Sequence, residues 1–213
     1  MIKKIRIGGG AGFAGDRVDP AVTLIEQGNL DYIIFECLAE RTIGLARQEM
    51  LKDPTKGYSR LLDYRLSQVL KPAKEHGVKI ITNMGAVNPQ AAVARAVEIA
   101  RKQGITGLKF AAVTGDSVYE ALSQYGQEPI LEFESTVDQW TAQIVSANAY
   151  MGAEGIIEAL RNGADVVITG RVSDPTLTLA PLCYEYGWSL NHPEQLGQCV
   201  LAGHLLECGG QVT

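Results

Sequence analysis

Hydrophobic positions along the chain follow two alternating patterns. Short apolar runs occupy residues 4–8, 31–36, 78–83, 107–114 and 165–169, and Gly, Asn or Asp bounds most of them, as expected of strands. Some centres, such as Tyr32-Ile33-Ile34-Phe35 and Val166-Val167-Ile168, are apolar without interruption. A strand with no polar side is covered on both faces, so these runs predict a mostly parallel sheet with helices above and below it.

Between the runs, apolar residues recur at helical spacing. Asp19-Pro20 supplies an N-cap and a first-turn proline, and Gly28 supplies a stop. Leu61, Leu62, Arg65, Leu66, Val69 and Leu70 share a stripe within residues 58–75, closed by His76-Gly77. Asn88-Pro89 opens a further helix with its stripe at Ala92, Val93, Ala96, Val97 and Ala100, ending at Gly104. Two stretches break the rhythm: the long helical segment after Glu36, and the polar-aromatic residues 117–138, which read as a flap or small insertion over a site. The alternation predicts a single α/β domain over residues 1–213, an open doubly wound sheet in preference to a partial barrel. Residues 205–213 read as a helix, a turn and the start of something extended, as if the chain were part of a longer architecture.

Composition narrows the partners. The chain is 46% hydrophobic and 20% charged, ordinary for a globular domain. Its net charge of −5 offers no attractive field to a phosphate backbone or an anionic bilayer, so neither nucleic acid nor membrane is expected as a partner. No apolar run approaches the roughly 18 residues of a spanning helix. The first ten residues contain two lysines and three glycines but no signal-peptide core, and a soluble, cytoplasmic protein is the expectation. Cys37, Cys183, Cys199 and Cys208 form no C-x-x-C pair and read as buried, reduced thiols.

Residues suited to chemistry cluster at the C-terminal ends of the predicted strands, where α/β folds bind ligands. After the first run, Gly10, Gly12 and Gly15 form G-x-G-x-x-G, followed by Asp16 and Arg17. With Glu36 ending the second run, the pattern suggests a dinucleotide loop. The helix predicted at Asp19 starts beyond the third glycine, however, whereas a dinucleotide fingerprint opens its helix inside the motif. A turn allowing close backbone packing and a contact with another anion are the alternatives.

The second run leads into Glu36, Glu40 and Arg41, and the third into Asn83, with Asn88 read as a helix cap. The fourth leads to Gly115 and Asp116, and the fifth to Gly170, Arg171 and Asp174. Asp174-Pro175 reads equally as a helix start or as a catalytic acid. Arg171, just past a buried strand, suits a carboxylate or phosphate. His192 and His204 read as surface or packing residues. The sequence has no G-x-S-x-G elbow, no G-K-[ST] phosphate loop and no H-E-x-x-H helix, and no spacing supports a metal site.

The segments IGGGAGFAGDR, DYIIFECLAERT, TNMGAVNP, GADVVITGRVSDP and LAGHLLECGGQVT closely resemble the N-terminal domain of the acyclic terpene utilisation family, across nearly the whole chain. That resemblance implies a metabolic protein, some of whose relatives are associated with bacterial breakdown of citronellol and geraniol. It also implies a domain longer than this chain, and it confers no catalytic mechanism.

The resulting expectation is a cytoplasmic catabolic enzyme acting on a branched carboxylate or acyl-coenzyme A thioester. Gly10, Gly12 and Gly15 would approach an anionic group, and Arg17, Arg41 or Arg171 would bind carboxylate or phosphate. Asp16, Glu40, Asn83 and Gly170 would complete the ligand site, and Glu36, Asp116 or Asp174 would serve as general acid or base. No cofactor is assigned, and a homo-oligomer or a second subunit remains open. A non-catalytic ligand-binding subunit of a catabolic complex is the second reading, and an NAD(P)-dependent oxidoreductase the third.

Overall fold

The computed structural model describes residues 3–212. Met1, Ile2 and Thr213, which belong to the two terminal stretches read above, lie outside the described residues. The first half of the chain runs β1 (Ile7–Ala11), α1 (Asp19–Gln27), β2 (Tyr32–Phe35), α2 (Glu40–Lys52), α3 (Leu62–His76), β3 (Lys79–Thr82) and α4 (Pro89–Lys102). After β4 (Phe110–Val113) comes an excursion holding a 3-10 turn at Tyr119–Tyr125, a hairpin of β5 (Pro129–Ile130) and β6 (Ser135–Thr136), and α5 (Val137–Trp140). The chain then returns through α6 (Glu154–Arg161), β7 (Val166–Thr169), α7 (Thr176–Tyr186) and α8 (Pro193–Glu207).

Five strands form one parallel sheet in the order β1-β2-β3-β7-β4. Alternate side chains feed two cores. Ile33, Phe35, Ile80, Val166 and Ile168 pack against α1, α3 and α4, while Tyr32, Ile34, Ile81 and Val167 pack against α6, α7 and α8. Both faces are covered, which is why β2 and β7 read as uninterrupted apolar runs, and each such side chain contributes about 1.5–3 kcal/mol on burial. The sheet is open and doubly wound, with no closed barrel.

The insertion of β7 between β3 and β4 positions the site. From β3 the chain leaves to α4 on one face, and from the adjacent β7 it leaves to α7 on the other. Neighbouring strands that exit to opposite faces open a crevice at their C-terminal ends.

Several boundaries differ from the sequence expectation. β1 lies at Ile7–Ala11 rather than 4–8, because Gly8 and Gly9 themselves pair with Ile33 and Ile34 of β2. The N-cap of α1 is Val18, while Asp19 sits in the first turn and pairs with Arg17. Helix α3 starts at Leu62, not 58, since the Ser59 N–H donates to the Met84 carbonyl and holds that stretch against the loop after β3. Asn88 caps α4 by accepting from the Ala91 N–H, as its sequence position implied. At the other end, Gly209–Val212 form a 3-10 turn rather than an extended start.

Candidate functional site

Glu36 follows β2 directly, and strand alternation turns its side chain toward the face of Tyr32 and Ile34. Only 4% of it is exposed. One carboxyl oxygen, Oε1, accepts from the Leu38 N–H at 3.2 Å and from the Asn83 side-chain amide. The other, Oε2, is buried without a hydrogen-bond partner among the described residues. Asn83 is fully buried, and its Oδ1 accepts from the Cys37 N–H at 2.8 Å. Since that oxygen is committed to an N–H, the amide nitrogen must face Glu36, and Asn83 fixes the carboxyl's rotamer.

Burial pushes the Glu36 carboxyl up to about 7. The bonds from Asn83 and Leu38 pull the other way, Glu207 on α8 raises it further by like-charge repulsion, and Arg171 lowers it. A carboxyl that titrates near neutrality, with a free oxygen, can both take and return a proton at physiological pH.

Arg171, on the loop after β7, reaches the same Leu38 backbone as Glu36. Its side chain is buried, and Nη1 donates to the Leu38 carbonyl at 2.5 Å while Nη2 donates to Asp174 Oδ1 at 3.1 Å. Glu40 lies 3.8 Å away, and the Tyr150 ring covers the guanidinium at 4.1 Å. The Tyr150 hydroxyl in turn donates to Glu40 at 2.7 Å. Nε of Arg171 is buried without a partner among the described residues. The Leu38 backbone is therefore held at both ends, its N–H by Glu36 and its carbonyl by Arg171.

Asp116, from the loop after β4, is a clasp. Its Oδ2 accepts from the Arg171 backbone N–H at 2.9 Å and from Asn148 at 2.8 Å, tying the ends of β4 and β7 to the return limb of the excursion. Gly170 has no room for a side chain because the Asp116 carboxylate occupies that space. Asp174 does not cap α7, whose N-cap is Pro175. It faces Arg171, with its second oxygen 3.8 Å from His204 on α8.

The fold thus gathers Glu36, Glu40, Asn83, Asp116, Gly170, Arg171 and Asp174. Tyr150 and Glu207 join them, and neither stands in a strand-end motif that would mark it in the sequence. Gly10, Gly12, Gly15, Asp16, Arg17 and Arg41 are placed differently. Gly10 lies within β1 against the Phe35 ring, and a side chain at Gly12 would overlap the Cys208 carbonyl. Gly15 packs on Phe13, and Asp16 accepts from the Gly12 and Phe13 N–H groups, closing the turn on itself. Arg17 is exposed and paired with Asp19. Arg41 is exposed on the first turn of α2 and pairs with no acid among the described residues. Helix α1 opens four positions after Gly15, so the dinucleotide geometry, with a helix N-terminus inside the glycine motif, is absent here.

Among the described residues, no group of three or more His, Cys, Asp and Glu side chains is arranged to hold a metal. No helix among them is long and apolar enough to cross a membrane. All four thiols are free, and Cys208 is half-buried with its Sγ donating to Glu207. A wide groove of about 1080 Å3 lies apart from the crevice, beside α4. Its charged side chains largely pair with one another, Arg60 with Glu49 and Arg95 with Asp63 and Glu98, so it offers no convergent chemistry.

The family model described as Acyclic terpene utilisation family protein AtuA matches residues 5–213. No curated protein matches the chain. Among solved structures, a tryptophan synthase complex from Pyrococcus furiosus is 18% identical over 92% of this chain and 95% of that chain. Its TM-score of 0.20 is one at which two folds do not superpose.

Proposed function

The chain belongs to the acyclic terpene utilisation family, and from that premise we propose that it is a cytoplasmic catabolic enzyme that moves a proton beside the carbonyl of a branched, acyclic thioester or ester. The observation that carries this reading is the Glu36 carboxyl, buried, held by Asn83, titrating near 7 and left with one free oxygen. Glu36 Oε1 and Arg171 Nη1 bond the two ends of the Leu38 backbone, and each side chain keeps one buried atom without a partner among the described residues, the acceptor Glu36 Oε2 and the donor Arg171 Nε–H.

In the step, ionised Glu36 removes a proton from the carbon next to the carbonyl, and the electron pair moves onto the carbonyl oxygen. Arg171 Nε–H stabilises that oxygen, and protonated Glu36 returns a proton to the same carbon as the electron pair moves back and the carbonyl re-forms. Asn83 is a positioning residue, and Asp116 holds the Arg171 backbone in place. The reacting end is neutral rather than a free carboxylate. Glu36, Glu40, Asp174 and Glu207 surround it, and Arg171 is already engaged with Asp174 and Leu38.

The test is deuterium exchange. Branched acyl thioesters incubated with the protein in D2O should lose the proton next to the carbonyl, read by NMR, with a rate rising to a plateau above about pH 7 as Glu36 ionises. Glu36→Gln should abolish the exchange while its thermal melt stays cooperative, and unchanged exchange in that variant would sink the assignment. A non-catalytic ligand-binding subunit is the second reading, favoured by the near-complete burial of Glu36 beside Glu207. Saturable thioester binding without exchange would establish it instead.

A further inference from the structure

A half-open pocket lies among the strand-end loops and is not used by the proton transfer. By strand alternation Cys37 points away from Glu36, into the core beneath α1 and α3. On that side a cavity of about 200 Å3 is walled by Ala14, Cys37, Leu38, Ala46, Leu61 and Ala86. The loops after β1, β2 and β3 meet α2 and the segment before α3 there, so the cavity opens at the ligand-binding end of the sheet.

Its lining is mostly apolar: Tyr58 and the Cys37 thiol, which burial keeps protonated so that it behaves as a small hydrophobe, stand beside the aliphatic groups, and the Thr42 and Ser59 hydroxyls are engaged with the Ala39 carbonyl and the Leu61 N–H. At the rim, Arg60 is paired with Glu49 at 2.5 Å, which offsets the charge at the mouth, and behind the wall Arg65 Nη1 rests on the Cys37 sulfur while Nη2 donates to the Ala14 and Asp16 carbonyls. An apolar cavity of about 150 Å3 stays dry and accepts benzene, so the larger volume here has room for roughly six to eight carbon atoms.

We propose that this cavity is a binding site for a neutral, compact aliphatic group of about six to eight carbons, separate from the Glu36 crevice. The assignment goes beyond the proton-transfer reading and does not depend on it, because Glu36 takes no part in the cavity wall.

The experiment is an NMR titration of the full chain with cyclohexanol and 4-methylpentan-1-ol, with 4-methylpentanoate as the charged control. Saturable shifts confined to the methyl groups of Leu38, Ala46, Leu61 and Ala86 are the expected result, and shifts that are linear or spread elsewhere would overturn the site. Ala46→Phe, which fills the cavity from α2, should weaken binding at least about tenfold with its cooperative melt retained. If that variant does not fold, Leu45→Trp at the half-exposed rim obstructs the mouth instead. Unchanged affinity in the folded variant refutes the proposal, as does 4-methylpentanoate binding as tightly as the alcohol. Glu36→Gln should bind the alcohols as the parent does, so a variant inactive in exchange but normal in this titration separates the two readings.

Discussion

Replacing Glu36 by glutamine removes a charge while keeping the shape of the side chain. The amide oxygen can still accept from the Leu38 N–H and the Asn83 amide, so the change isolates the cost of ionising a buried carboxyl. That carboxyl is raised from an ordinary 4.5 to about 7, and a difference of that size corresponds to about 3 kcal/mol. The folded state holds the proton more tightly than the unfolded chain. The associated stability is therefore fully present below about pH 4.5 and is lost as the pH rises through about 7. Urea unfolding of both proteins, repeated at intervals from about pH 4.5 to about pH 8, gives the comparison. Other groups titrate alike in the two proteins and cancel in the difference. The variant should gain about 3 kcal/mol on the parent across the window, most of it between about pH 5 and 7. Two parallel stability curves would refute the reasoning, because Glu36 would then be ionised as easily in the fold as in the unfolded chain.

Further outcomes follow from the same geometry. Asn83→Ala leaves the Cys37 N–H and part of Glu36 without partners; it should cost about 1–3 kcal/mol and move the Glu36 titration, followed by carbon-13 NMR of the carboxyl, to higher pH. An unmoved titration would show that the Asn83 bond does not hold the carboxylate. Gly12→Ala must push the Cys208 backbone aside and should cost about 1–3 kcal/mol. Gly44→Ala, in the interior of α2 with open space around it, should instead stabilise the protein by about 0.5–1 kcal/mol. Thermal melts that rank these two alanine variants the other way would contradict the packing account of the glycine-rich stretch.

Much of the sheet was legible because its central strands announce themselves. Tyr32–Phe35 and the first three residues of β7, Val166, Val167 and Ile168, are buried on both faces, so no polar residue interrupts them. β1 was displaced in the reading because Gly8, Gly9 and Gly10 carry no hydrophobic signal, and their place in the strand depends on neighbours filling the space they leave. The G-x-G-x-x-G pattern shows the same limit of local information. An anion-binding turn and a turn packed against backbone need the same glycines, and what lies against Gly12 here is Cys208, at the far end of the chain.

Glu36, Asn83 and Arg171 were found as strand-end polar residues, since topology brings strand ends together. Arg17, Arg41 and Arg171 looked alike in sequence. They are told apart by burial, which seats Arg171 beneath Tyr150 and leaves the other two in solvent. Tyr150 and Glu207 carried no signal of their own, because each reaches the crevice through tertiary placement rather than through a motif.

The strand order also sets which sheet contacts are local in the chain and which are distant. β1, β2 and β3 are neighbours both in the chain and in the sheet, and with α1, α3 and α4 they can assemble through short connections. β4 has no such freedom, because its sheet partner is β7, which is made later and must enter between β3 and β4. Closing the long loop from β3 to β7 carries an entropic cost that is recovered only when both new edges pair at once. The seam between β3 and β7 therefore joins the strands farthest apart in the chain of any pair in the sheet. Pairing across that seam is what brings Arg171, just past β7, to the strand ends that carry Glu36 and Asn83.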